Sequence, residues 1–350
     1  MNIMNTKQNN ISKALNSIKV YTIFLVVIGH VLVNYCPSGT FPHHGSFITS
    51  WIYNIIYSFH MPLFISVSGA VYAICRNKGK YSNWKSLIRS KWSRVLIPYI
   101  TFGLFILFPT LRILNINDDN ILNYSLSTIL LGKDGGGLKH LWYLYVLFEM
   151  FVITYGIEKI INKYNVYYVL FTFMCITIAA YSIQLPTMFQ LNMLLRYYLF
   201  FIIGYYIGRG NIKIKNNIII ELLLIIAGLA GCYFMYQLPT FWCSLVSTTT
   251  AICFMIVAYQ VCQKYSLGSG SFIYNCILKD GMGIYLFHVI IIYILFYFDI
   301  FANYGIYIQS GLIVLISFIS SIITTRFVRL IHCGFLIGEL KQKINKTSKS

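Results

Sequence analysis

The chain has 350 residues, of which 58% are hydrophobic and only 10% charged, and its mean hydropathy is +0.69. A soluble domain carries about 25% charged residues, so the soluble globular, disordered and fibrous classes are excluded together and a polytopic membrane chain remains. The net charge of +18 implies no nucleic-acid partner, because the basic residues fall in short loops and form no soluble basic face.

A helix needs about 20 apolar residues to cross a hydrocarbon core of about 30 Å. That window predicts an all-α bundle of about ten transmembrane helices at 18–36, 47–74, 92–113, 139–157, 166–182, 191–208, 217–236, 244–263, 280–298 and 306–330. A polar tail (1–17), with no cleavable signal expected, precedes one membrane domain (18–330), and a basic tail (331–350) follows it. Pro62 interrupts the second span, where a kink or a re-entrant piece is expected. No internal repeat is visible, which argues against an inverted-repeat transporter. Nine cysteines, with no C-x-x-C pair and mostly inside apolar runs (Cys175, Cys232, Cys253, Cys262), point to packing and not to a disulfide framework or a metal site.

Lys and Arg in short loops set orientation. With the N-terminus inside, the inner segments hold Lys7, Lys13 and Lys19, then seven basic residues between Arg76 and Arg94, then further groups in 158–165, 209–216 and 264–279, and Lys341 to Lys349 at the end. The outer loops 37–46, 183–190, 237–243 and 299–305 hold none. Both termini are therefore expected in the cytoplasm.

Ionisable groups at membrane depth are functional candidates. His30 lies eleven residues after Lys19 on the first span. At ~100° and 1.5 Å per residue the two side chains share one face, about 16 Å apart along the axis. His60 sits in F-H-M-P-L-F on the second span, ahead of Ser68-Gly69, a pair suited to close helix approach. His288, in Y-L-F-H, faces a central cavity if its span is oriented like the first. His140 opens the fourth span beside Trp142 and Tyr143, in what reads as an interfacial aromatic belt. Glu149 reads as the only acid well inside a span, and Arg196 lies near the outer end of the sixth. The two either pair or bind substrate. Arg89, Lys91 and Arg94 cluster at the end of an inner loop, either as ordinary anchors or as a phosphate clamp, for which Arg offers bidentate donors and Lys a point charge. Gly135-Gly136-Gly137 lies on the outer side without the basic motif that follows a phosphate loop, and reads as a flexible loop.

These features, in this order, resemble the acyltransferase 3 superfamily of bacterial integral-membrane proteins. The resemblance rests on Lys19 through Gly29-His30, on F-I-S-V-S-G at Phe64 to Gly69, and on Lys91-Trp92-Ser93-Arg94 with Pro98. F-H-M-P-L-F, H-L-W-Y-L and Y-L-F-H look like the fucose 4-O-acetylase-related branch. The similarity spans residues 13 to 330, and no fused extracellular domain is expected. It implies an O-acyltransferase of the bacterial plasma membrane that takes an acyl group, acetyl in the expected case, from cytoplasmic acyl-CoA. The acceptor is a sugar hydroxyl on a cell-surface polysaccharide or its lipid-linked precursor. His30 is then general base or covalent acyl carrier. Lys19, Arg89, Lys91 and Arg94 hold the CoA phosphates, and Glu149, Arg196, His60, His140, His288 and Ser68 support the site. No metal is implied. The rival reading is a carrier of a lipid-linked sugar or small metabolite, which would perform no acyl transfer. The acceptor sugar and the oligomeric state are not encoded in these motifs.

Overall fold

A computed structural model describes residues 2–116, 128–132, 139–183, 185–186, 188–265 and 270–339, with side chains described from residue 11 and that of Tyr236 excepted. The glycine run at 135–137 and the basic residues from 341 onward lie outside these. Among the described residues the fold is all-helical, with no strand.

Ten helical stretches follow one another. They are α1 (Asn2–Leu32), α2 (Phe47–Asn77), α3 (Trp84–Ile113), α4 (Trp142–Lys163), α5 (Val166–Ser182), α6 (Leu191–Arg209), α7 (Ile218–Phe234), α8 (Thr240–Lys264), α9 (Phe272–Tyr297) and α10 (Ile306–Leu330). Each coincides with a segment expected from hydropathy. Seven of them are long and apolar enough to cross a membrane. The other three differ for physical reasons. α5 and α7 have 17 residues each, about 25 Å of helix, and α4 carries Glu149, Glu158, Lys159 and Lys163. Rows of exposed Ile and Leu, such as Leu222, Leu223 and Ile226 on α7 and Leu315, Ile319 and Ile323 on α10, form the apolar exterior that a lipid environment covers.

One expectation is corrected: Pro62 does not interrupt α2, which continues from Phe47 to Asn77. Within the polar N-terminal stretch, α1 runs from Asn2 and buries Ala14, Leu15 and Ser17, the last with its hydroxyl 3.3 Å from that of Tyr274. Residues 331–339 fold back through a turn at Gly334–Ile337, with Ile337 buried. α3, by contrast, is broken twice, by π turns at Trp92–Leu96 and Gly103–Leu107. Pro98 and Pro109 follow these turns. Each proline lacks the N–H that an α-helix would send back four residues, and the wider turn accommodates that loss.

α1 passes through the middle of the bundle against α2, α8, α9 and α10, and α2 packs most closely on α6. That contact is backbone on backbone. A methyl group on Gly69 would overlap the Phe201 carbonyl, one on Gly204 that of Ser66, and one on Gly208 that of Ala70. Small residues four apart let membrane helices approach in this way. Gly204→Val is expected to lower stability by about 1–3 kcal/mol or more through overpacking, read as a fall in the thermal unfolding midpoint in detergent. An unchanged midpoint would contradict this packing.

Candidate functional site

The packing of α1, α4 and α9 brings together three histidines far apart in sequence. His30 is near the end of α1, His140 lies on the 3-10 turn Lys139–Leu141 that leads into α4, and His288 is mid-way along α9. Their ring centres are 5.1 Å (His30 to His288), 5.5 Å (His140 to His288) and 6.4 Å (His30 to His140) apart. On α2, the Tyr57 hydroxyl lies 3.5 Å from His30 Nδ1, and the Tyr57 ring stands 4.8 Å from that of His60.

Backbone partners assign the ring protons. A carbonyl only accepts, so the nitrogen facing it carries the hydrogen. His288 Nδ1 donates to Ile284 (2.9 Å), His60 Nδ1 to Ile56 (2.7 Å) and His140 Nε2 to Leu286 (3.1 Å). In a neutral ring the other nitrogen then presents a lone pair. Those of His140 (Nδ1) and His288 (Nε2) are buried with no hydrogen-bond partner among the described residues. A buried acceptor left unpaired costs about 1–3 kcal/mol, so each of these lone pairs favours a hydroxyl or other donor brought against it.

A cavity of about 290 Å³ lies between α1, α2, α3, α4 and α9. At the basic end of the bundle its lining includes Lys19, Arg94 and Lys279, and elsewhere Ser68, Tyr143 and Tyr285. The Tyr285 ring lies 5.4 Å from that of His140, and its hydroxyl donates to the His140 carbonyl. Ser68 donates to the Phe64 carbonyl, so the Tyr143 hydroxyl, 3.1 Å away, donates to Ser68. The cavity therefore runs from a mouth of three cations to Tyr143 and Tyr285, and Tyr285 is the lining residue whose ring contacts His140.

The mouth is built by an ion-pair chain. Asp280, fully buried on α9, receives Arg326 Nε at 3.3 Å and Arg329 Nη1, and Arg329 also grips Glu339 at 2.7 Å. Asp280 sits between Lys279 and Gly281, both in the lining. Gly338, at φ +75°, closes the terminal turn against Arg94, where a methyl group would come within 2.6 Å of the Arg94 carbonyl. α9, α10 and the terminal turn thus fix the segment that bears Arg94.

Of the four cations expected at this mouth, Lys19 and Arg94 line it. Arg89 is exposed on α3, outside the lining. Lys91 Nζ lies 3.5 Å from the Phe151 ring centre and 5.1 Å from that of Tyr81, a cation–π cage. His140 is not in an interfacial belt but buried in the cluster. His288 is 16 residues beyond the start of α9 at Phe272, deeper than the span 280–298 expected from hydropathy places it. Glu149 and Arg196 form no ion pair. Glu149 Oε2 is buried without a partner among the described residues, while Arg196 stacks 4.3 Å from the Tyr181 ring and donates to Ala180 at 3.4 Å. Glu149 is also not the only acid enclosed by the helices: it is half-buried, whereas Asp280 and Glu158 are buried. Sequence reasoning missed Lys279, Asp280, Tyr57, Tyr143 and Tyr285. One signal was present. Tyr-x-x-His occurs at 57–60 and again at 285–288, a spacing that places both rings on one helix face.

No group of three or more His, Cys, Asp or Glu side chains among the described residues is arranged to hold a metal ion. The acyltransferase 3 family model, described as an acyltransferase domain, matches residues 12–326. No curated protein and no solved structure is detectably similar to the chain.

Arg329→Met leaves buried Asp280 with the more exposed Arg326 as its single ion partner and frees Glu339. Breaking a buried pair costs about 3–5 kcal/mol, so a destabilisation of ~3 kcal/mol is expected, measured by unfolding of the purified protein. A loss under ~0.5 kcal/mol, typical of a surface site, would show that the chain is decorative.

Proposed function

The chain belongs to the acyltransferase 3 family, and from that membership and the site's geometry we propose that it is a membrane O-acyltransferase. It transfers an acyl group, acetyl in the expected case, from cytoplasmic acyl-CoA to a sugar hydroxyl of a cell-surface polysaccharide or its lipid-linked precursor. The observation that carries the reading is a cavity with a cationic mouth whose lining residue Tyr285 contacts His140, one of two histidines with a buried, unpartnered ring nitrogen. In this reading the protein crosses a bacterial plasma membrane about ten times, with both termini and the cationic mouth on the cytoplasmic side.

Lys19, Arg94 and Lys279 meet the CoA phosphates, Arg94 through its bidentate fork. The pantetheine arm runs past Val67, Leu144, Leu147 and Met282 toward the histidines. The acceptor enters from the opposite end, where Tyr53 and Tyr57 (ring centres 4.3 Å apart) and Trp142 and Tyr197 (5.2 Å) supply aromatic faces. A sugar carries several O–H donors, which is what His140 Nδ1 and His288 Nε2 lack. His30 takes the proton of the attacking hydroxyl as its oxygen bonds to the thioester carbonyl carbon. The tetrahedral intermediate expels the CoA thiolate, which receives that proton from the imidazolium, leaving an ester and free CoA. His60 supports Tyr57, while Glu149 and Arg196 stay outside the bond-making step.

The test is glycan O-acetyl content, by NMR, in a deletion strain complemented with wild type or His30→Ala, with expression checked by immunoblot. General-base removal costs about 10²–10⁴-fold in rate, so the variant should leave the glycan unesterified. Equal restoration by both proteins would remove His30 from the mechanism. A wild-type protein that turns over no CoA thioester would favour a carrier.

Donor binding is read separately. Lys19→Met and Arg94→Met each remove one charged contact to phosphate, worth about 1.5–3 kcal/mol, or roughly 10–100-fold in affinity. KM for acyl-CoA should rise accordingly while kcat changes little. A fall in kcat at unchanged KM would place these cations in the chemical step instead.

A further inference from the structure

A second site lies at the basic end of the bundle, away from the histidines. Glu158 on α4 is buried and faces two guanidiniums, Arg76 Nε at 2.9 Å and Arg209 Nη1 at 3.5 Å, with the Tyr205 hydroxyl donating at 3.0 Å. One carboxylate against two cations leaves a positive charge unbalanced. Beside it opens a polar recess of about 300 Å³ lined by Asn77, Asn162, Tyr206, Arg209 and Asn211. Arg209 uses Nη1 on Glu158 and Tyr205, and its Nε and Nη2 have no hydrogen-bond partner among the described residues.

The recess does not stand alone. Ile161 and Tyr164 line it and also line an apolar groove of about 380 Å³ between α4 and α5, formed with Ile157, Ile160, Val169 and Phe173. A cationic, amide-rich pocket that continues into an apolar groove along two membrane helices has the shape of an amphiphile with an anionic head. We propose that this is a binding site for an anionic phospholipid, its phosphate at Arg209 and the asparagine amides and one acyl chain along the α4–α5 groove. Arg is suited to a phosphate by its paired donors, and basic pockets between membrane helices favour anionic head groups. The site shares no lining residue with the cavity that holds Lys19, Arg94 and Lys279, so it stands or falls independently of the acyl-transfer reading.

The experiment is native mass spectrometry of the full-length detergent-solubilised protein, titrated with phosphatidylglycerol or phosphatidylcholine of identical chains. One phosphatidylglycerol per protein should be retained with about tenfold or greater preference, and Arg209→Gln should reduce that retention about tenfold, the loss of a charged hydrogen bond. Because Arg209 also bonds Glu158, Asn211→Leu is measured beside it and should weaken retention with the unfolding temperature unchanged. Thr172→Trp, which fills the groove, should do the same. Equal retention of the two lipids, or wild-type retention by Asn211→Leu and Arg209→Gln, overturns the proposal. So does glycerol phosphate binding as tightly as the whole lipid, which would make the recess a site for a free anion.

Discussion

His60, His140 and His288 each commit one ring nitrogen to a backbone carbonyl, and that commitment decides which nitrogen remains to act. In a region of low dielectric an unmade hydrogen bond is expensive, so these bonds hold the rings in one orientation and one tautomer. Two of the three carbonyls belong to α9. Ile284 serves the helix's own His288 and Leu286 serves His140 across the interface. The position of α9 therefore sets the geometry of two rings at once. Glycines bring it close to its neighbours, Gly281 against Ile23 of α1 and Gly283 against Thr325 of α10. A side chain at Gly283 would overlap Thr325 down to its Cβ and push α9 away, and both lone pairs would turn with it. The backbone contact of α2 with α6 does the same for Tyr57 and His60, which it carries along α2.

The helical frame was legible in sequence because a membrane span announces itself through local composition. A run of apolar residues near 20 is visible without knowledge of its neighbours, and every expected segment coincides with a helix. The register of Lys19 and His30 was legible for a similar reason, since helical periodicity alone puts them on one face. What depends on neighbouring helices was not. His140 opens its helix beside Trp142, so its local sequence reads as an interface, yet α9 covers it and leaves 3% exposed. Lys91 looked like a free cation in a basic loop, but α4 places Phe151 beneath its ammonium. Tyr143 is one among 29 tyrosines, and only the fold separates it from the rest.

Orientation statistics treat every Lys and Arg at one end of the bundle as equivalent, and the structure divides them by what they face. Arg76 and Arg209 hold Glu158, and Arg326 and Arg329 hold Asp280. These four hold buried acids in place, and the acids in turn join α2 to α4 and α6, and α9 to α10. Lys91 sits over aromatic rings. Lys19, Arg94 and Lys279 have no carboxylate partner among the described residues, and they converge from three helices on one cavity. Like charges brought together from separate elements repel, and the repulsion grows as the low-dielectric surroundings thin the water between them. A fold that maintains such a cluster gains from an anion that fills it. A ligand with several phosphates is matched to three unpaired cations better than any single carboxylate, and its uncharged arm has an apolar cavity wall to follow from there.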